Sequence, residues 1–431
     1  MQTKRFFLTA LLTTATLFSQ SYLDIIRPFY GMSGVSGAES GILPAASTTS
    51  NAVLGNPALL SYAEKGFVAL DLGYDQFAGT SVFNTDKSDQ ISSGGIRFNS
   101  LSYIYPVPVY RGAWVWGFNL QPVYSFSSIQ EFSGLDTDPD SDLEFTYARR
   151  NRESGSLYAF TAGTSFLMSI NTSLGFSVSF LNGSNSYDKI YYENDSNDFF
   201  LFTEYLDSLH FAPQYRGFSA RLGLSSELSD AIRVGVSLEF PSRLSVTEAS
   251  SQDIMESFDD GSDTLWQGDE RSALEYVVWG PWRIGTGIGF TVDPLEVSVN
   301  YRFHSYTTSS MKSNLINSEG NSLDPIVDAQ IKQSVQNVNE FSASIQWSMS
   351  PIDLTFAASL RNDQLNYRLD NIIRMDTGLA YHFSSGLGLT IAFRKEQWMS
   401  DLNHALSDNS ERKIEVQNSF SKIQFGIKYY L

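Results

Sequence analysis

Cysteine is absent from the 431 residues. That excludes a disulfide scaffold, a zinc ribbon and thiolate catalysis. Histidine is scarce, and His210, His304, His382 and His404 lie too far apart in the chain to suggest a metal site. Basic residues are few, with 29 Lys and Arg against 47 Asp and Glu. The net charge of −18 makes the chain a poor partner for nucleic-acid phosphates. No apolar run approaches the ~18 residues of a membrane-spanning helix. A Gly-x-Ser-x-Gly nucleophile motif is missing as well, so no enzyme and no cofactor are read from these residues. What the chain does have is aromatic side chains, 14% of the total, and 31 glycines. One membrane architecture suits that balance: a β-barrel whose strands are apolar on one face only.

Alternation carries the fold. Residues 338–349 place Phe341, Ala343, Ile345, Trp347 and Met349 on one face, with Ser342, Ser344, Gln346 and Ser348 on the other. Residues 173–182, 231–240 and 295–306 repeat the pattern. A period of two means a strand with two chemically different sides. Fourteen such stretches run from residue 66 to 431. Each reaches the roughly 9–11 residues that a tilted strand needs to cross a bilayer. Their connections alternate between short and long. Asp293-Pro294 and Ser350-Pro351 mark short ones, while 125–156, 183–213 and 241–273 are long. The expectation is all-β: a 14-stranded antiparallel transmembrane β-barrel, with tight turns at one end and long loops at the other. The last stretch ends with Ile423, Phe425, Ile427, Tyr429 and Leu431 on one face.

Two segments precede the barrel. Lys4 and Arg5 followed by the apolar stretch Phe6 to Ser19 predict a signal peptide over residues 1–21. Residues 22–65 do not alternate and are rich in Gly, Ala and Ser. They are too few to build a core of their own. A 14-stranded barrel has a lumen that side chains alone do not fill. Residues 22–65 therefore suit a plug inside the lumen, and their composition equally suits a disordered tail.

The glycine-rich run from Gly31 to Gly41, then Asn56-Pro57-Ala58 with Leu59 just before the first strand, resembles the FadL-type outer-membrane transporters of hydrophobic compounds. That resemblance implies an N-terminal hatch over 22–65, with Asn56, Pro57 and Ala58 in hatch gating, and a barrel over 66–431. It implies a monomer in the outer membrane of a Gram-negative-type bacterium. Its implied partners are a fatty acid or hydrocarbon, membrane lipid and lipopolysaccharide, with passage driven by diffusion. Scaffold barrels of type IX protein secretion share the segment and strand count, so the resemblance leaves transport and scaffolding both open. A general porin is the third reading.

Candidate ligand residues lie in two long connections. Phe199, Phe202, Leu206 and Leu209 fall near helical spacing, with Phe200 and Phe211 beside them. Ile254, Met255, Phe258 and Trp266 offer an opposite wall. So apolar a loop either binds an amphipathic ligand or folds back over the barrel mouth. FadL-type proteins use the corresponding loops as a groove. On the polar faces, Arg302, Arg361 and Arg394 point into the lumen, where each suits a carboxylate headgroup or a luminal acid such as Glu239, Glu296 or Asp376. Pro122 cannot donate a ladder hydrogen bond and marks a wall defect or a strand end.

The connections 125–156, 183–213 and 241–273 carry 21 acidic residues against 6 basic ones. Within one of them Asp136, Asp138, Asp140 and Asp142 alternate and suit Ca²⁺. Ser141 and Tyr147 break the EF-hand pattern, which favours a solvated acidic loop without metal.

Overall fold

The computed structural model describes residues 51–83, 86–87, 91–126, 128–138, 143–195, 201–316, 320–364, 371–401 and 414–431. The proposed signal peptide and most of the proposed hatch lie outside this set, as do Phe199, Phe200, Asp140 and Asp142. Within it are β1 (Phe67–Phe83), β2 (Asp86–Lys87), β3 (Ile91–Val107), β4 (Trp114–Ser125), β5 (Ser128–Asp138), β6 (Leu143–Ser169) and β7 (Thr172–Asp195). Then come β8 (Phe202–Ser229), β9 (Ile232–Glu239), β10 (Arg243–Phe258), β11 (Asp263–Trp279), β12 (Trp282–Val292), β13 (Leu295–Ser305) and β14 (Ser310–Ser313). The last are β15 (Val338–Met349), β16 (Ile352–Asn362), β17 (Asn371–His382), β18 (Leu387–Asp401) and β19 (Ile414–Tyr430).

Fourteen of these strands close an antiparallel barrel. The wall runs β1, β3, β4, β6, β7, β8, β9, β12, β13, β15, β16, β17, β18, β19 and back to β1. The closing ladder pairs Phe67 with Tyr430 at one end and Phe83 with Ile414 at the other. Alternation is inside out relative to a soluble protein. Ile345, Phe356, Leu379, Ile391 and Phe425 are exposed on the outer face, while Ser344, Thr355, Arg374 and Gln424 are buried on the inner one.

The long connections are mostly strand rather than loop. β6, β7 and β8 are 27, 24 and 28 residues long, well beyond what one bilayer crossing requires. Their outer halves, with β5, β10 and β11, carry the sheet past the barrel. The helical spacing at 199–209 does not produce a helix in its described part: residues 202–211 belong to β8. From Glu204 onward β7 and β10 offer ladder partners on both sides, and that pairing overrides local spacing.

Residues 51–63 sit inside the short-turn end of the barrel. They form a one-turn helix, α1 (Ala52–Gly55), and a 3₁₀ segment, Pro57–Tyr62. Val53, Ala58, Leu59 and Leu60 are fully buried against inner-face Phe67, Ile104 and Val115. The wall receives them with small residues. Ser165 donates to Ala58 O at 2.9 Å, and Ser237 to Gly55 O at 2.8 Å. Asn56 caps the 3₁₀ segment and donates to Leu224 O at 3.1 Å. A Cβ on Gly175 would overlap the Pro57 carbonyl carbon, and one on Gly223 would overlap Asn56 Oδ1. Both contacts therefore require glycine. Gly175→Ala is expected to unseat residues 51–63 while the barrel still folds. Planar-bilayer recordings should then show a larger ion conductance than the wild type.

Candidate functional site

Above the inserted segment the lumen changes character by height. The first layer is ionic. Arg221 donates to Glu239 Oε2, and Arg283 donates to Oε1 of the same carboxylate at 3.0 Å. His304 Nε2 lies 3.9 Å from Glu340, and Arg374 lies 3.6 Å from Glu340 and 3.3 Å from Asp376. Arg394 donates to Asp376 at 2.6 Å. Lys422 and Arg97 then share Asp75 at 3.2 and 3.8 Å. This belt reaches from β8 around to β3. On β4, β6 and β7 the inner face instead carries Asn119, Thr161 and Ser179, all buried.

The proposed headgroup arginines stand in or beside this belt. Arg361 donates to Glu396 at 2.9 Å, and Arg394 has Asp376. Arg302 faces Glu340 across the β13–β15 ladder. A luminal carboxylate is thus already the neighbour of each.

The second layer is apolar. Tyr124, Phe126, Leu157, Leu181, Tyr215, Leu244, Val246, Tyr276, Val278, Tyr306, Met311 and Val338 form one buried cluster inside the barrel. Ile331 of α2 (Asp324–Ser334) covers it on one side, and Leu54 of α1 packs against it from below. The cluster exists because several strands break at this height. Phe240-Pro241-Ser242 separates β9 from β10, and the β8 register shifts by one residue across it. Even-numbered Val236 faces out below the break, while even-numbered Leu244 and Val246 face in above it. Gly280-Pro281 does the same between β11 and β12: Ile284 is exposed, and Tyr276 and Val278 are buried.

The β3–β4 ladder stops beside this layer. β3 and β4 pair only from Leu101↔Leu120 to Val107↔Trp114. Beyond Leu101, β3 continues on β1 alone, with an irregularity at Asp71/Leu72. β4 bulges between Pro122 and Tyr124 and then delivers Tyr124 and Phe126 into the apolar cluster. Pro122 sits at this seam.

The residues named from the long connections divide between two faces. Leu209, Phe211, Ile254 and Trp266 share one face of the β8–β10–β11 sheet, where Leu209 is buried and Phe211 lies 6.1 Å from Tyr187. Leu206 and Met255 are paired on the other, and Phe258 pairs with Phe202 beyond a register shift that follows Ser257. The sheet brings the two connections together, but not along one surface. Asp136 and Asp138 belong to β5 and stand opposite Phe145 and Leu143 of β6.

No protein-family model matches the sequence, and no curated protein matches it. Solved structures match in shape. A FadL homologue of Pseudomonas aeruginosa aligns with a TM-score of 0.61 at 11% identity, covering 94% of this chain and 99% of that one. The toluene transporter TodX of P. putida aligns at 0.60 and 14% identity, again over 94% and 99%. The chain has the FadL-type barrel fold. The toluene transporter TbuX of Ralstonia pickettii aligns at 0.56 and 15% identity over 94% and 99%. At such identities the likeness carries architecture and not site residues, so the apolar layer and the seam stand on their own geometry.

Glu248 adds a titratable group to the apolar layer. It lies on β10 opposite Pro213, beyond Phe218, with which the exposed apolar band of β8 ends on the long-strand side of the wall. Tyr276 donates to it at 3.0 Å, and burial pushes its carboxyl up to about 7. In the unfolded chain the group ionises near 4.5. Between these values the unfolded state is charged and the folded state is protonated, so stability falls as pH rises and levels off above 7. Glu248→Gln should thus raise the unfolding free energy at pH 8.5 by an amount on the order of 3 kcal/mol, with the gain vanishing near pH 4. Urea titration of the detergent-folded protein at both pH values reads it. In the ionic layer, Asp376→Asn leaves Arg374 and Arg394 short of a buried counter-charge. A loss of about 3–5 kcal/mol is expected, measured by the same titration at pH 7.

Proposed function

We propose that the chain is an outer-membrane channel for hydrophobic compounds, working by binding and diffusion. The observation that carries this reading is the buried apolar cluster inside an otherwise polar lumen, next to strand edges that do not pair. A water-filled porin has no use for fifteen buried apolar residues across its path. An apolar ligand does, because it replaces their mutual contacts without exposing them to water. The ligand enters between the extended strands, displaces the cluster and meets Tyr124 and Phe126 at the end of β4. The unpaired β3–β4 edges then give it a way into the bilayer that bypasses the ionic belt. Residues 51–63 close the short-turn end, and Leu54 links them to the cluster from below.

A charged headgroup fits this path poorly. The inner arginines have acidic neighbours, and Glu248 adds a carboxyl to the apolar layer. The preferred substrates are therefore neutral hydrocarbons, with long-chain fatty acids second. Toluene transporters among the structural neighbours agree with that choice.

Proteoliposomes test the path. Ser100 and Gln121 are both buried and are the next residues beyond the last β3–β4 pair, Leu101↔Leu120. A disulfide between cysteines placed there should slow uptake of a radiolabelled monoaromatic several-fold, and reduction should restore it. Saturable binding of the same compound should persist in both states. Unchanged uptake in the oxidised variant would remove the seam from the path. Absence of saturable binding in the folded wild type, for both hydrocarbon and fatty acid, would turn the reading to a scaffold.

A further inference from the structure

The outer surface of the wall carries a polar groove beside the seam. On β6, β7 and β8 the residues Phe160, Phe180 and Phe218 are paired across the sheet and exposed. They form the edge of the apolar band. The next row on the same face, one step toward the long-strand end, is Tyr158, Asn182 and Arg216. Ser184 and Gln214 follow in the row after that. These polar rows line a groove of about 570 Å³, which the buried Tyr215 of the apolar layer and Arg97 at the end of the ionic belt also line, at the seam. Arg243 of β10 flanks it opposite Phe218. The groove is recessed because β6 and β7 approach closely here: a Cβ on Gly183 would overlap Ser156 O, and Gly155 has φ of 143°. Glu275, an exposed acid in the same row as Gln214, lies two strands away.

Three arginines with amide and hydroxyl donors are out of keeping with a chain of net charge −18. The chain's overall field repels free anions from this surface. An anion tethered to acyl chains is held there regardless, and the exposed Phe row directly below provides the surface for those chains. Arginine forks and neutral donors match phosphate oxygens. We propose that this groove binds the phosphate of an outer-leaflet glycolipid, with Arg97 and Arg216 as the principal contacts and Asn182, Ser184 and Gln214 as supporting donors. Arg97 also touches Asp75, so the bound headgroup caps the outside of the seam at the end of the ionic belt. This inference rests on the outer-membrane reading.

The test is native mass spectrometry of the intact detergent-folded protein titrated with bis-phosphorylated lipid A. Wild type should retain one lipid, and Arg216→Gln should weaken retention about ten-fold, as loss of one charge-assisted contact requires. Arg111→Gln, at an exposed short turn, should change nothing. Dephosphorylated lipid A should bind at least as weakly as the Arg216→Gln variant binds the full lipid. Equal retention with and without phosphate, or in both variants, would overturn the proposal. Inorganic phosphate competing at low millimolar concentration would overturn the lipid assignment in favour of a free-anion site. Insertion into liposomes, followed by protease protection, is independent of Arg216 and reports separately on the membrane reading.

Discussion

The structure depends on the requirement that a chain surrounded by hydrocarbon satisfy its own backbone polar groups. A sheet does so only by closing on itself. Here closure is made by β1 and β19, which pair along the full 17 residues of β1. Once the wall is closed, the outer face is apolar, and polar side chains have nowhere to go but the lumen. The ionic belt, the serine-rich cradle for residues 51–63 and the inside-out alternation all follow from that single demand.

Closure also gives meaning to the places where pairing stops. An unpaired edge within a membrane wall is costly unless something else satisfies it. Here β3 and β4 part where β4 turns inward at Pro122, and aromatic side chains occupy the interior just beyond. The breaks at Pro241 and Pro281 fall at the same layer and turn apolar side chains inward where they would otherwise face out. Proline cannot donate to a ladder, so it appears where the ladder is interrupted. The apolar layer and the seam are thus one construction, made by a few residues that decline to pair.

Much of this was legible in the sequence. The two-residue period over 338–349 or 295–306 requires a strand with unlike faces, and the short turns at Asp293-Pro294 and Ser350-Pro351 fix which strands are hairpin neighbours. At Pro122 the missing donor is a local fact, and the β4 register shifts just beyond it. The apolar layer was not legible. Alternation tells which residues share a face, but a one-residue bulge at Phe240-Pro241-Ser242 exchanges the faces without altering the period on either side. Leu244 and Val246 therefore read as ordinary loop residues, and Tyr276 and Val278 as the start of the next transmembrane strand. Nor did the spacing of Phe202, Leu206 and Leu209 foretell a strand, since the partner segments that hold it extended come from β7 and β10. The two prolines, Pro241 and Pro281, were the available signal, each flanked by an apolar run whose phase changes.

The β1–β19 ladder has one more consequence. It joins the two strands most distant in sequence, so the contact that seals the cylinder has the largest loop to close of any in the fold. Such contacts form late and slowly, because the entropy of the intervening chain must be lost before the ladder returns any of it. Until then the growing sheet has two raw borders, one on β1 and one on its opposite margin, each a template for pairing with a neighbour. The protein's most hazardous interval is therefore the wait before its final zip, and the need for a custodian during biogenesis is written into the topology.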